Sequence, residues 1–340
     1  MISSRALIRA LALGGAAGAG LLAGLGFLGG YAMRLDAFAA FRWHASALAI
    51  VALLAAVWPR RALLFALAAP VIILGLPIIA SHNAPLAPVI AAPSPADAQN
   101  TRTSLRVMTF NTWDQIRNID EVHALLRRTI PDVVVLVEVS PPKRALLEVL
   151  RPLYPYQVEC AERWPCSMAL LSRIPFEAQG TIMPNAERPS AVWGRIADTG
   201  DGLTIVGVHI HRPTRSPRIH WGHMRGVADM MQTTKGDFIV AGDFNTPSWA
   251  ASMQWLQGET GLQPMPSILP TWPAWPIAVP QFPIDHILVS RGLRLDQLTT
   301  EAAAASDHLP VIGTVTTVRP LLSGPGIPAT MPRKQAQTAP

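Results

Sequence analysis

Cysteine is one of the residues that this sequence uses least. Its 340 residues include only Cys160 and Cys166, with no CxxC pair and no cysteine-rich spacing. This pattern excludes a cysteine-based metal centre. A disulfide between the two would be consistent with a domain outside the cytosol, and two free thiols fit the spacing equally well.

Basic residues are too few in the C-terminal part to indicate a nucleic-acid-binding surface. The chain has a formal charge of +6, but residues 1–100 carry six arginines against two aspartates, whereas residues 101–318 have a net charge of −1. A nucleic-acid-binding domain usually carries its basic excess within the domain itself. The overall charge is therefore no argument for such a partner.

Charge is nearly absent from three long apolar runs near the N-terminus. They cover residues 6–33, about 41–58, and 62–80. The first is too long for the core of a signal peptide, and the second has tryptophan at both ends, as membrane-interface anchors do. We predict about three transmembrane helices in residues 1–80. Two spans with an interfacial helix, or buried helices of a soluble protein, are the alternatives.

Arginines around these runs predict the orientation in the membrane. Four arginines lie before the first run or between the second and third, namely Arg5, Arg9, Arg60 and Arg61. Two more, partly balanced by Asp36, lie between the first and second runs and would therefore be on the opposite side of the membrane: Arg34 and Arg42. Positive residues favour the cytoplasmic side. The N-terminus is thus expected in the cytoplasm and everything after residue 80 outside it.

Composition divides the rest of the chain into a linker, a domain and a tail. Residues 81–104 are rich in Ala, Pro, Ser and Asn, which is typical of an extended linker that would hold the domain off the bilayer. Residues 319–340 are rich in Pro and Gly and are expected to be disordered. The domain lies between them, at residues 105–318.

Short apolar strands recur through this domain, with few helices between them. Helices are expected at 119–129 and 219–232, and strands at 105–110, 133–137, 167–171, 192–196, 203–209, 238–241, 284–289 and 311–318. This ratio favours packed sheets with outer helices over a doubly wound parallel sheet.

The stretch from Ile239 to Pro247 shows the pattern of a buried strand that ends in polar residues. Side chains alternate across a strand, so Asp243 and Asn245 would project to the same side at its end. Strand ends of α/β proteins commonly carry ligand sites. Asp and Asn are also ordinary turn residues, so this segment alone does not decide between a site and a turn.

Other predicted strands also end or begin at polar residues. Together with the stretch above they supply Asn111, Glu138, His209, Asp243, Asn245, Asp285, Asp307 and His308. Each has an ordinary structural explanation, such as a turn, a buried ion pair or a cap. A carboxylate after five apolar residues, as at Glu138, is nevertheless costly unless it is paired or binds a metal. The recurrence in six segments makes coincidence a poor explanation.

The order and the sequences of these segments resemble the motifs of the endonuclease/exonuclease/phosphatase superfamily over roughly residues 105–318. The most specific matches are Gly-Asp-Phe-Asn at 242–245 and Ser-Asp-His-Leu-Pro-Val at 306–311. The resemblance, which includes membrane-anchored bacterial members, implies an α/β four-layer sandwich. In such a fold two packed, mostly antiparallel sheets have outer helices. The expected location is the inner membrane, with an extracytoplasmic domain.

The resemblance also implies metal-dependent hydrolysis of phosphate esters. Asn111, Glu138 and Asp307 would hold Mg²⁺, or Mn²⁺, because both metals prefer hard oxygen ligands. Asp243 would orient or deprotonate the attacking water, and Asn245 would hold that water or a phosphoryl oxygen. The remaining roles fall to three residues: His308, oriented by Asp285 and protonated, would contact the phosphoryl group, and His209 would stabilise the departing oxygen.

The sequence departs from the family pattern at two points. Glu138 is preceded by Val, where relatives often have Gln, and the histidine strand reads Val-His209-Ile-His211. Strand alternation places both histidines on the same side, and His209 is preferred because it lies closer to the apolar run.

The substrate class stays open between nucleic acid, phospholipid and inositol phosphate. Four tryptophans lie between Gly-Asp-Phe-Asn and Ile-Asp-His and are densest at residues 271–276, namely Trp249, Trp255, Trp272 and Trp275. They could stack on bases, meet a lipid interface or pack their own loop. A catalytically idle domain that binds at the membrane is the alternative function, and it is disfavoured because every matched position keeps a competent residue.

Overall fold

The structure, a computed structural model, describes residues 3–83, 104–115, 119–160, 165–196, 202–276, 279 and 281–317. For residues 74–83 and 317 it describes the backbone alone. The predicted tail at 319–340 and nearly all of the predicted linker at 81–104 lie outside the described residues.

Helices account for the N-terminal region and for the outer layers of the domain. They are α1 (Ser4–Leu25), α2 (Arg42–Val57), α3 (Ala62–Asn83), α4 (Asp120–Thr129), α5 (Arg144–Leu150), α6 (Pro217–Thr233) and α7 (Ala251–Thr260). Between α1 and α2 the chain forms a 3₁₀ helix at Met33–Phe41, which we call the interhelical segment.

Eleven strands form the inner layers in the described part of the chain. They are β1 (Ser104–Asn111), β2 (Val133–Val137), β3 (Tyr156–Glu159), β4 (Met168–Ser172), β5 (Ala178–Ile182), β6 (Ser190–Ile196), β7 (Leu203–His209), β8 (Asp237–Asp243), β9 (Asp285–Val289), β10 (Leu293–Thr300) and β11 (Val311–Thr317). Every predicted strand is present, which confirms the strand-rich interpretation.

Two mixed sheets stack face to face. The six-stranded sheet has the order β10-β11-β1-β2-β4-β3, and the five-stranded sheet has the order β5-β6-β7-β8-β9. Each contains one parallel pair, β1 with β2 and β7 with β8, and its other pairs are antiparallel. The predicted pair of mostly antiparallel sheets is therefore confirmed.

Three apolar clusters separate four layers. Valines of β1 and β2 meet Ile205 and Ile239 between the sheets, whereas α4 and α5 cover the outer face of the first sheet and α6 and α7 cover that of the second. β2 can be entirely apolar because both of its faces are buried. The result is the predicted α/β sandwich.

The N-terminal helices agree only in part with the predicted membrane spans. Ser4–Leu25 and Met33–Val57 are long and apolar enough to cross a membrane, and α3 is helical through the third predicted run, whose role as a span stays a prediction. The first run was predicted too long, because its helix ends before a glycine-rich turn at 26–30. Exposed apolar side chains on α1 and α2, such as Leu11 at 68%, do not fit buried helices of a soluble protein.

Cys160 and Cys166 form a disulfide, so the first of the two alternatives left open by their spacing is the one observed. The bond closes the loop between β3 and β4. Both residues are buried against the core between the sheets.

Gly242 allows β8 to approach β7 at the point where the polar residues begin. Its φ is +152°, and a Cβ at this position would overlap the carbonyl oxygen of Val208. We expect Gly242→Ala to lower the free energy of unfolding by roughly 2–4 kcal/mol, because both the backbone and the neighbouring strand would have to move. Thermal and urea unfolding of the full-length protein in detergent would measure this.

Gly258→Ala provides the matched control. Gly258 lies on α7 with nothing near its added Cβ, so the substitution should be neutral or stabilising by up to ~1 kcal/mol. Equal stability of the two variants would contradict the steric argument at Gly242.

Candidate active site

The strand ends of both sheets bring polar residues together at one edge of the sandwich. In the second sheet, His209, Asp243 and Asp285 are direct neighbours across β7, β8 and β9. In the first sheet, β1 ends at Asn111 and β2 ends just before Glu138. The parallel pairs thus point their carboxyl ends at the same space between the sheets.

Asp243 lies at the centre of this arrangement and is fully buried. Its Oδ1 accepts the backbone N–H of Asn245 at 2.8 Å, and its Oδ2 accepts the side-chain amide of Asn111 at 3.1 Å. Nε2 of His209 lies 3.8 Å from Oδ2, and Nε2 of His308 lies 4.0 Å from it. Burial, followed by repulsion from Asp285, raises the pKa of Asp243 to about 6.

Glu138 faces Asp243 from the other sheet. Its Oε1 accepts the amide of Asn111 at 3.0 Å, its Oε2 accepts the backbone N–H of Asp114 at 2.9 Å, and Nε2 of His209 lies 3.9 Å away. Burial acts to raise the pKa of Glu138, but the positive charge of His209 and these hydrogen bonds outweigh it. The pKa of Glu138 is therefore lowered, and the side chain is an anion at neutral pH.

Asp285 orients His308 and favours its cation. Nδ1 of His308 donates to Oδ2 of Asp285 at 2.8 Å, and the hydroxyl of Thr271 donates to the same oxygen at 2.6 Å. Burial alone would lower the pKa of His308, but the Asp285 carboxylate, with help from Asp243 and Asp307, raises that pKa to about 9. These carboxylates thus favour the imidazolium form of His308 at neutral pH, and its protonation in a substrate complex stays a prediction.

Asp307 closes the cluster from the loop before β11. Its Oδ2 accepts the indole N–H of Trp272 at 2.9 Å, and its Oδ1 lies 4.0 Å from Nε2 of His308. In the described part of the chain, this Oδ1 is buried without a hydrogen-bond partner. A buried polar oxygen without a partner is costly, and a bound cation would relieve the cost.

The donor set fits a divalent cation that prefers oxygen. Glu138, His209 and Asp243 place their ligand atoms within 4.8 Å of one another, as do Asp243, Asp285 and His308. Carboxylate oxygens dominate both groups, which suits Mg²⁺ or Mn²⁺ better than structural zinc. Asn111 presents its amide N–H₂ to the carboxylates and its oxygen to the N–H of Trp113, so its role as an oxygen ligand stays a prediction.

Only one of the two candidate histidines joins the cluster. Strand β7 ends at His209, and beyond it the alternation of a strand no longer fixes the direction of side chains. His211 instead packs its ring against His223 of α6, with centroids 6.1 Å apart. The expectation that both histidines share one side is therefore not met, whereas the preference for His209 agrees with the geometry.

A buried lysine beside the site is not predicted from the sequence. Lys143 is 2% exposed, and its Nζ donates to the carbonyl oxygens of Thr112, Trp113 and Glu138 and to the hydroxyl of Thr112. Burial lowers its pKa to about 8. Lys143 thus ties together the two strand ends that carry Asn111 and Glu138, and no sequence motif marks it.

Three residues at the site have a left-handed backbone conformation. Trp113, Glu138 and Asn245 have φ values of +51°, +59° and +52°, which are unfavourable for residues with a Cβ. Strain of this kind persists where surrounding contacts hold it, and here Lys143 and Asp243 supply such contacts.

Comparison with known families agrees with this geometry. A family model described as the Endonuclease/Exonuclease/phosphatase family matches residues 108–308, more than half of the chain. A search of curated protein sequences finds no match.

Solved structures share the fold at low sequence identity. An endonuclease/exonuclease/phosphatase from Beutenbergia cavernae is 20% identical, with 64% of this chain and 72% of that chain covered and a TM-score of 0.52. A D. rerio TDP2 humanized by 14 mutations is 17% identical, with 63% and 99% covered and a TM-score of 0.53. A functionally unknown conserved protein from Enterococcus faecalis is 18% identical, with 63% and 100% covered and a TM-score of 0.53.

The raised pKa of His308 predicts a pH-dependent contribution to stability. Since the folded pKa of about 9 exceeds the ordinary value near ~6.5, protonation of His308 stabilises the fold fully below about pH 6.5. This contribution is lost as the pH rises through about 9. With chelator present, the difference in unfolding free energy between the wild type and His308→Gln should shrink from pH 6.5 to 9.5.

His123→Gln, on α4 away from the cluster, serves as the control and should leave the pH dependence of stability unchanged. A difference between wild type and His308→Gln that stays constant or widens with pH would count against a cationic His308.

Lys143→Met should destabilise the fold, because it leaves several buried oxygens without their donor. We expect a loss of roughly 2–4 kcal/mol in unfolding free energy, measured by urea unfolding in detergent. Lys235→Met is the control at an exposed lysine and should change stability by less than ~0.5 kcal/mol. A similar change in unfolding free energy for both variants would contradict the role of Lys143 in holding the two strand ends together.

Proposed function

This chain belongs to the endonuclease/exonuclease/phosphatase family, and on that premise we propose that it is a membrane-anchored, metal-dependent phosphoesterase. It would hydrolyse a phosphodiester or phosphomonoester by attack of an activated water. The observation that carries the proposal is the convergence of Glu138 and Asp243 on the amide of Asn111, with the Asp285–His308 pair placed against Asp243.

Asp243 is the proposed base. A pKa of about 6 leaves it mostly ionised at neutral pH and able to accept the proton of an attacking water. The hydrogen bonds from Asn111 and from the backbone of Asn245 fix its two oxygens. The new bond forms between the water oxygen and phosphorus while the proton passes to Asp243.

Two histidines are placed to handle the charge that develops on the phosphoryl group and the leaving oxygen. His308, held cationic by Asp285, is proposed to donate to a phosphoryl oxygen. His209 lies at the end of β7, next to Asp243 of β8. It is proposed to stabilise the ester oxygen as the bond from that oxygen to phosphorus breaks. Fixed donors of this kind lower the barrier because they need no reorganisation during the reaction.

Glu138 and Asp307 are the proposed ligands of Mg²⁺, with Asn111 beside them. A bound divalent cation would neutralise charge on the phosphoryl oxygens and on the leaving oxygen. The unpartnered Oδ1 of Asp307 and the anionic Glu138 support this assignment. Mn²⁺ has similar ligand preferences and is the alternative metal.

The proposed membrane topology receives support from contacts between the two parts of the chain. The indole N–H of Trp249 donates to the carbonyl of Ala39 at 2.8 Å, so the domain lies on the side where the interhelical segment emerges. Arginine placement puts that side outside the cytoplasm. The disulfide between Cys160 and Cys166 agrees with an extracytoplasmic domain.

Asp243→Asn should reduce hydrolysis at least ~100-fold, because an amide cannot accept the proton from water. Purified full-length protein in detergent would be assayed with Mg²⁺ against bis(4-nitrophenyl) phosphate, 4-nitrophenyl phosphate, DNA, RNA and phospholipid. Turnover of one class should disappear with chelator and return when Mg²⁺ is added back.

Asp296→Asn is the matched control, since Asp296 lies on β10 and pairs only with Arg294 and neighbouring threonine among described contacts. It should keep wild-type activity. Absence of turnover by a folded wild type, or turnover that survives Asp243→Asn, would overturn the proposed function.

A further inference from the structure

The interhelical segment is built into the C-terminal domain through a buried carboxylate. Asp36 is 1% exposed. Its Oδ1 accepts the backbone N–H of Ala251 at 2.7 Å, and its Oδ2 accepts that of Ser252 at 3.1 Å. These N–H groups belong to the first turn of α7, and the N-cap residue before this helix, Ala250, supplies no side-chain cap. A residue between two apolar helices therefore caps a helix of the domain.

Aromatic contacts extend this docking toward the candidate active site. Phe41 packs edge to face on Phe282 at 5.5 Å between centroids, and Trp43 packs on Trp249 at 6.1 Å. Phe282 in turn contacts the ring of Trp272 at 5.7 Å, and Trp272 is the donor to Asp307. The segment thus reaches the proposed metal ligands through two layers of aromatic rings.

A cavity of about 340 Å³ lies between the segment and the active site. Its lining is mostly apolar and comes from both parts of the chain: Ala37, Ala40, Phe41, Arg212, Pro213, Thr214, Asn245, Trp272, Phe282 and Ile284. Asn245 opens it to the reacting centre, and Ile284 precedes Asp285. The volume lies in the range of small-molecule sites, about 300–1,000 Å³.

We propose that this cavity holds the apolar group of a membrane-resident lipid phosphate ester, next to the scissile phosphate. This inference rests on the proposed function, and it names the substrate class of that same site. The apolar lining excludes a strongly hydrated group, because transferring such a group from water without new hydrogen bonds is costly. Among the described residues that line the cavity, the exposed Arg212 is the one charged side chain, and it can meet a phosphate oxygen at the rim.

The position of the cavity favours a lipid over a nucleobase. One wall is the interhelical segment, which forms the N-terminal part of Met33–Val57, the second stretch that is long and apolar enough to cross a membrane. In the membrane-anchored protein proposed above, this wall places the cavity beside the bilayer. The domain that forms the other wall carries no net basic excess for a polynucleotide backbone. A flipped base also needs several polar partners, whereas the lining offers mainly carbon.

The test is a binding series that does not depend on turnover. Methyl-, butyl- and hexylphosphonate carry the phosphoryl oxygens but no cleavable ester bond, and isothermal titration calorimetry with full-length protein and Mg²⁺ would give their Kd values. For the wild type, Kd should fall about fourfold for each added methylene until the cavity is filled. Ala37→Trp, which fills the cavity, should remove this dependence on chain length and leave methylphosphonate binding within about twofold.

Two further variants control for general damage to the fold. Ala32→Trp places the same side chain on an exposed position just before the segment and should keep the dependence on chain length. Ala40→Leu fills the cavity with a smaller group and should weaken the dependence, so the comparison stands even if the tryptophan variant misfolds.

Failure of this inference differs from failure of the proposed function. Two results would overturn the lipid pocket even if the enzyme hydrolyses bis(4-nitrophenyl) phosphate. One is a wild-type Kd that does not change with alkyl chain length, and the other is the same change of Kd with chain length in Ala37→Trp and Ala40→Leu as in the wild type. Preferential turnover of DNA or RNA by the wild type would also overturn it. Conversely, if Kd falls with alkyl chain length but the protein hydrolyses no phosphate ester, the lipid pocket would be supported and the phosphoesterase proposal would be overturned.

Discussion

Asp243 is fully buried between Asp285 on the adjacent strand and Asn111 from the opposite sheet. A carboxylate in that position has lost its hydration, and the domain must compensate with fixed donors and nearby cations. His308 provides the cation, and Asp285 keeps it charged. The two sheets are thus joined at this edge by electrostatics as well as by the valines and isoleucines between them, and the position of every other site residue follows from this arrangement.

Local sequence could predict those elements whose burial is complete. Val133–Val137 and Leu203–His209 are apolar along nearly their whole length, and a polar residue follows the first and ends the second. The same pattern therefore predicted both the bounds of these strands and the site residues at their ends. β3, β5 and β10 were missed because they lie at sheet edges and carry mixed, partly exposed residues. α7 was missed because its capping carboxylate, Asp36, lies more than two hundred residues away in the sequence.

The sequence predicted one part of the candidate site, and only the folded structure shows the other part. Sequence motifs and predicted strand ends identified the residues that point into the cluster, including His209. They could not identify Lys143, whose importance arises from carbonyl oxygens on two other segments, or the indole of Trp272, which orients Asp307. These partners are set by backbone positions that only the folded chain brings together.

Docking of the interhelical segment extends below the surface of the domain, as far as the backbone beside the candidate site. From Asp36 a chain of hydrogen bonds runs through Ser252 to His220, and the lowered pKa of His220, about 4 owing to its burial, keeps this imidazole neutral. A neutral ring has one N–H, so when Nδ1 donates to the carbonyl of His211, Nε2 must accept from Ser252. The backbone just after His209 is therefore held from the interhelical segment. A domain fixed in this way cannot turn freely relative to that segment, so the apolar cavity beside Asn245 keeps a wall from each part of the chain.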